Sequence, residues 1–111
     1  MLGIKSWNKV KVYRDEMTGK ESFTEWLYSL KNSTTRNRVL KRLERLYLGN
    51  FGDYKALGEG IYEMCLFFGG GYRVYFGKRG KTFVILFCGG NKRTQKYDIK
   101  KAQEYWSKYH E

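Results

Sequence analysis

Polar and apolar residues alternate with a period of two over Lys9 to Arg14, KVKVYR, which predicts a first strand. Thr18-Gly19 ends it. Ser22 and Glu25 stand at capping-box spacing, each suited to satisfy a free backbone N–H at the start of a helix. Phe23, Trp26, Leu27 and Leu30 then recur at helical spacing, so a first helix is expected over 22–31. Asn32-Ser33 breaks it and can cap a second helix over 34–48, whose apolar face is Val39, Leu40, Leu43, Leu46 and Tyr47. Gly49 to Gly52 close that helix in the usual glycine manner.

Strand character follows. Tyr62, Met64, Leu66 and Phe68 alternate with Glu63, Cys65 and Phe67, and Gly69 to Gly71 signal a hairpin. Tyr72, Val74 and Phe76 alternate with Arg73 and Tyr75. Lys78 to Lys81, KRGK, reads as a second tight turn. Thr82 to Cys88, TFVILFC, is apolar on both faces and reads as a central strand, ended by Gly89-Gly90. Ile99, Ala102, Trp106 and Tyr109 mark a terminal helix over 94–109. Tyr54 to Leu57 fit either a short strand or a turn. The expected order is β-α-α-β-β-β-α: a small α+β domain with helices packed on one face of a mostly antiparallel, twisted sheet.

With 111 residues, one domain over 1–111 is the expectation, with enough chain for one core. The longest apolar run, Phe83 to Cys88, is too short to span a bilayer. The charged, alternating start MLGIKSWNKVKVYRD does not read as a signal or transit peptide, so a cytoplasmic location and no membrane partner are expected. Cys65 and Cys88 sit inside apolar segments and read as buried free thiols.

Charge changes the picture most. Twenty-two Lys and Arg against eleven Asp and Glu give a net +11, which favours a polyanionic partner, nucleic acid first. Residues 31–48 hold six bases against Glu44, and residues 72–81 hold four bases and no acid. Metal chemistry finds no ligand set: the one histidine, His110, reads as a solvated end residue, and the cysteines lack paired spacing. Two-histidine RNA hydrolysis fails on the same count. No P-loop and no nucleophile elbow occur, so no cofactor is expected.

A basic, aromatic surface remains. Arg38, Lys41, Arg42 and Arg45 oppose the apolar face of the second helix, as a phosphate-binding stripe or as a solvated face. Arg73, Glu63 and Tyr75 are out of phase with the apolar strand positions and should project from the sheet face opposite the helices. Such a face suits RNA, with aromatics stacking bases and arginine holding phosphate; an ordinary polar outer face is the plainer alternative. Trp7, Trp26 and Trp106 are candidates for an aromatic partner patch, although Trp26 and Trp106 fall on apolar helix faces and suit core packing.

Three segments together resemble the RelE/ParE toxin superfamily, in its HigB-like addiction module killer branch. They are RNRVLKRLERLYLGNFGD (Arg36 to Asp53), LGEGIYEMCLFFGGGYRVYF (Leu57 to Phe76) and GKTFVILFCGGNKRTQKYDIKKAQEYW (Gly80 to Trp106). GYRVYF, LFCGGNK and KKAQEYW are the most specific strings, and their order and spacing carry the resemblance. It implies a RelE-like domain and the toxin of a two-gene module. Such a toxin would enter the ribosome and cut mRNA without metal, the ribose 2′-OH attacking the adjacent phosphate.

The resemblance places Arg73 at the family's G-Y-R arginine, set to stabilise the phosphorane. Lys92, or Arg93 beside it, takes the place of a basic residue after the last strand. Tyr97 or Asp98 falls where some relatives carry a catalytic tyrosine. Lysines of the best-known mRNA-cutting relatives are replaced here by Glu63 and Cys65. Glu63 is then either the general base or a cross-strand partner of Arg73. Lys55, Arg93, Arg42 and Lys96 are candidate RNA contacts. The implied partners are a helix-turn-helix, HigA-like antitoxin and the ribosome with its mRNA. The alternatives are a non-enzymatic, ParE-like inhibitor of DNA gyrase and an RNA-binding relative that has lost catalysis.

Overall fold

The computed structural model describes residues 9–50, 52–68, 70–80 and 83–109. The chain runs β1 (Lys9–Val12), α1 (Ser22–Ser29), α2 (Ser33–Tyr47), β2 (Tyr54–Gly58), β3 (Ile61–Leu66), β4 (Tyr72–Arg79), β5 (Phe83–Gly90), a 3₁₀ turn (Lys92–Thr94) and α3 (Gln95–Lys108). The strands make one five-stranded sheet in the order β1-β5-β4-β3-β2. β1 runs parallel to β5, and every other pairing is antiparallel. This is a small α+β domain with a mixed sheet.

Several local expectations hold for the reasons given. The Asn32 side chain caps α2 by accepting from the backbone N–H of Thr34 and Thr35. Gly49, at φ 88°, ends it. Its N–H donates to Leu46 O, and that of Asn50 donates to Arg45 O, the paired bonds of a Schellman stop. The capping box at Ser22 does not form. Ser22 lies inside α1, buried, and its hydroxyl bonds the Tyr105 hydroxyl of α3 at 2.8 Å. Glu25 instead faces Lys20 at 3.7 Å. A hydroxyl buried at a helix junction finds its partner across the junction, because an unpaired one there is destabilising.

Two expected boundaries move. Tyr54–Gly58 is a strand, so the order holds four strands after α2 and not three. Its hairpin to β3 turns at Glu59 and Gly60, both at positive φ (56° and 84°), the combination that a two-residue type I′ turn requires. The strand was ambiguous because YKALG does not alternate and lies exposed at the sheet edge. β4 continues through Lys78 and Arg79, so the second turn begins at Gly80. The roles expected of Trp7 and His110, and the Gly69 and Lys81 parts of the two turns, lie outside the described residues.

The larger correction concerns layers. The helices do not share one face of the sheet. α1 and α2 supply Phe23, Leu27, Leu30, Val39 and Leu46 to a core built on Met64, Leu66, Val74, Phe76, Val84 and Leu86. α3 covers the other face, where Ala102, Ile99, Tyr105 and Trp106 pack on Ile61, Tyr75, Ile85 and Phe87. β5 forces this arrangement. Phe83 to Cys88 are all buried, and a strand apolar on both sides needs cover on both sides. The register slips between Tyr75, opposite Cys88, and Phe76, opposite Leu86. This bulge turns both Phe87 and Cys88 into the α3 side. Trp106 seats directly on Gly77, where an added Cβ would lie 2.8 Å from the ring. Trp26 and Trp106 therefore pack against the two cores, as their helix positions suggested.

Candidate functional site

β2, β3 and β4 bring one group of polar side chains together. Lys55 pairs with Glu63, Glu63 with Tyr75, and Cys65 with Arg73. Strand alternation puts all five on the face that α3 partly covers. Glu63 is 1% exposed. Its Oε2 accepts from the Tyr75 hydroxyl at 2.9 Å and from the Gln95 side-chain amide at 2.8 Å. Arg73 Nε stands 3.7 Å from Oε2, and Lys55 Nζ stands 3.6 Å from Oε1. The Cys65 thiol also donates to Oε1, at 3.9 Å. A buried acid is tolerated when its polar atoms are met, and here two cations and three neutral donors meet them.

The same cluster sets the protonation of Tyr75. Burial raises its hydroxyl pKa, and the hydrogen bond to Glu63 and that carboxylate's charge raise it further. It stays a neutral donor. Arg73 is held on two sides. Its Nη1 donates to Gly71 O at 2.9 Å, and its buried Nε makes no hydrogen bond and faces Glu63. With 19% of its side chain exposed, the guanidinium is oriented from beneath and still reaches solvent. Lys55, at 64%, is a surface cation leaning on the same acid.

The end of β5 and the start of α3 frame this group. Gly90 is the cross-strand partner of Arg73, so Lys92 and Arg93 begin two residues beyond it, exposed on the 3₁₀ turn. Asn91 caps that turn, accepting from the N–H of Arg93 at 2.9 Å and of Thr94 at 3.2 Å. The Thr94 hydroxyl donates to Asp98 Oδ2 at 2.6 Å. Asp98 is buried, and burial raises its pKa against the lowering effects of the Thr94 bond and Lys101. A Cβ at Gly90 would collide with the side chains of both Asp98 and Thr94, so any other residue there would have to push that hydrogen-bonded pair aside. The Cys88 thiol donates to Asp98 O, and its pKa is pushed up to about 12 by burial and by Asp98. Cys88 is thus a buried free thiol without thiolate character; Cys65 is free and half-buried.

Arg73, Glu63 and Lys55 are therefore together, with Lys92 and Arg93 at the adjoining strand end. Tyr97 is not with them. It lies two residues past Gln95, about 200° around the helix. It is 65% exposed, with Lys101 Nζ 4.7 Å from its ring centre, in a cleft lined also by Lys20, Lys100 and Tyr105. Asp98, its neighbouring alternative, is buried against β5. Lys96 is exposed on α3. Arg42 lies half-buried on α2, in a cleft with Arg38, Arg45, Asp53 and Cys65. Gln95 was missed. Its signal was helical spacing, since Ala102, Asp98 and Gln95 lie on one stripe that continues the apolar face of α3 toward the sheet.

Among the described residues there is no group of three or more metal-ligating side chains. Among the described residues no helix is long and apolar enough to cross a membrane. No protein-family model matches the chain. The chain is 45% identical over 82 residues to a Haemophilus influenzae protein described as an uncharacterized protein; the match covers 74% of this chain and 83% of that one. The chain belongs to that protein's family. The relative's description names no activity.

Proposed function

We propose that this chain is the toxin of a two-gene toxin–antitoxin module, a metal-independent, ribosome-dependent mRNA endoribonuclease acting in the cytoplasm. The observation that carries it is the arginine at the site: Arg73 is oriented by a buried glutamate beneath it and presented beside Lys55 and the Lys92-Arg93 turn. That arrangement suits a phosphate whose charge rises during reaction. The O2′–P bond forms as the P–O5′ bond breaks; the 2′-OH proton passes to solvent water, and the departing O5′ takes one from water. A pre-oriented guanidinium stabilises the charge on the phosphorane between these events. Glu63 acts here as the positioning residue for Arg73 and not as the general base, since it is buried and already accepts three hydrogen bonds. Orientation and charge stabilisation then carry the rate. A helix-turn-helix antitoxin would neutralise the basic face.

One observation favours a second reading, the non-enzymatic inhibitor of DNA gyrase. Glu63 is buried and Tyr97 faces away from Arg73, so neither stands ready to move a proton at the Arg73 site. Primer extension on a defined mRNA in a reconstituted translation reaction separates the two. Ribosome-dependent cleavage that disappears in Arg73→Ala, with the thermal melt of the variant unchanged, is the expected result. Intact mRNA at protein concentrations that arrest growth would overturn it, and loss of supercoiling by gyrase would then establish the second.

A further inference from the structure

Phe67 is an exposed aromatic residue that packing does not account for. It directly follows β3 and is 76% exposed, while its neighbours Leu66 and Phe68 pack into the α1/α2 core. The loop is tight, with Phe68 N–H donating to Leu66 O and Gly71 N–H donating to Phe68 O. Phe67 is thus left outside on an ordered turn. Among the described residues no other ring contacts it.

Its surroundings are basic. A cleft of about 380 Å³ on one side is lined by Arg38, Arg42 and Arg45, three arginines on one stripe of α2. A second cleft of about 300 Å³ on the other side is lined by Tyr54 and Lys55. The two share Asp53, Cys65 and Phe67. Cys65 is the cross-strand partner of Arg73, and Lys55 shares Glu63 with it, so the clefts adjoin the Arg73 site. Asp53 is the acid at their junction; its charge acts on Arg42 and opposes phosphate locally. Arg38 lies over the Phe68 ring at 4.4 Å, which fixes the start of the arginine stripe.

We infer that Phe67 is a base-stacking platform on a single-stranded RNA track that runs from Arg73 past Lys55 to the arginines of α2. Cations flanking an exposed ring are the arrangement that binds single strands: phosphates follow the cations and a base covers the ring. The inference rests on the proposal that RNA is the substrate. It adds a residue that reads bases where Arg73 reads only phosphate.

The test is fluorescence anisotropy of the full chain with a labelled single-stranded RNA and with an abasic oligonucleotide of the same length. Phe67→Ala should weaken RNA binding about 5- to 150-fold and leave abasic binding unchanged. Phe67→Trp should restore affinity, with indole quenching on binding. Its exposure means that neither substitution disturbs the core, and a thermal melt checks this. Equal effects on both oligonucleotides, or no effect on either, would overturn the inference. Competition by an acidic peptide with the same dependence on Phe67 would overturn it too, and would assign the clefts to a protein. If Phe67 discriminates the oligonucleotides while primer extension shows no cleavage, the nuclease proposal falls and the platform stands. Cleavage with no role for Phe67 removes only the platform.

Discussion

The two faces of the sheet use the same strands for opposite purposes. On the α1/α2 side, Met64, Leu66, Val74, Phe76, Val84 and Leu86 meet apolar helix residues. On the α3 side, alternate residues of the same strands place Glu63, Tyr75 and Arg73 beside Ile61, Ile85 and Phe87. Area alone stabilises the first face, at about 1.5–3 kcal/mol for each large side chain fully buried. The second must also satisfy a buried acid, and it does so with groups drawn from β2, β4 and α3. Packing therefore sits where substitution only loosens the fold. Polar burial sits where it orients a cation toward solvent.

The strongest way to sharpen the comparison is Phe76→Ala, which empties a fully buried position on the apolar face. It should cost about 3–5 kcal/mol in urea unfolding, and any Arg73-dependent activity should fall only as far as the folded population falls. Glu63→Gln strikes the polar face. It leaves Tyr75, Gln95 and the two cations with a neutral partner and should cost about 1–3 kcal/mol, less than Phe76→Ala because Arg73 and Lys55 keep solvent. Unlike Phe76→Ala, it should lower an Arg73-dependent activity by more than the lost folded population accounts for.

A smaller effect is expected at Asp98. Its folded pKa is raised, so protonation favours the fold. The stabilising contribution is complete below the ordinary carboxylate range and is lost as pH rises through the raised folded value. Asp98→Asn should remove that dependence, so wild type should lose stability relative to the variant on going from acid to neutral pH. Unfolding free energies of both, measured from pH 3 to pH 8, check the sign; parallel curves would refute it. The smallest effect belongs to Lys20→Ala. Lys20 and Glu25 form a surface pair with both side chains about half exposed, so the change should stay below about 0.5 kcal/mol.

Much of this was legible in the chain. Asn32 and Gly49 bracket α2 because their chemistry acts on neighbouring backbone and needs no tertiary partner. Glu63, Tyr75 and Arg73 share a face because a period of two is a local property. What could not be read depends on contacts distant in sequence. Ser22 gave up its cap for Tyr105, 83 residues away. The burial of Glu63 follows from where α3 lies, and the two-sided apolarity of β5 held that answer without stating which helix supplies the second cover. Tyr97 shows the limit of matching by position. The residue falls at the expected place along the chain, and the helix rotation carries it to the other side.

The parallel pairing of β1 with β5, which matches Lys9 to Phe83, also has a consequence in time. During synthesis β1 can find its neighbour only after α1, α2 and β2 to β4 have all appeared. β5 holds β1 on one edge and β4 on the other, and its two sides anchor the two cores. Until it emerges, the apolar residues of β3 and β4 have α1 and α2 but no finished sheet. Closure of so distant a pair comes late and slows folding, and it leaves strand edges open while it waits. The segment that unites the structure is also the one whose arrival lets the sheet and its second face form.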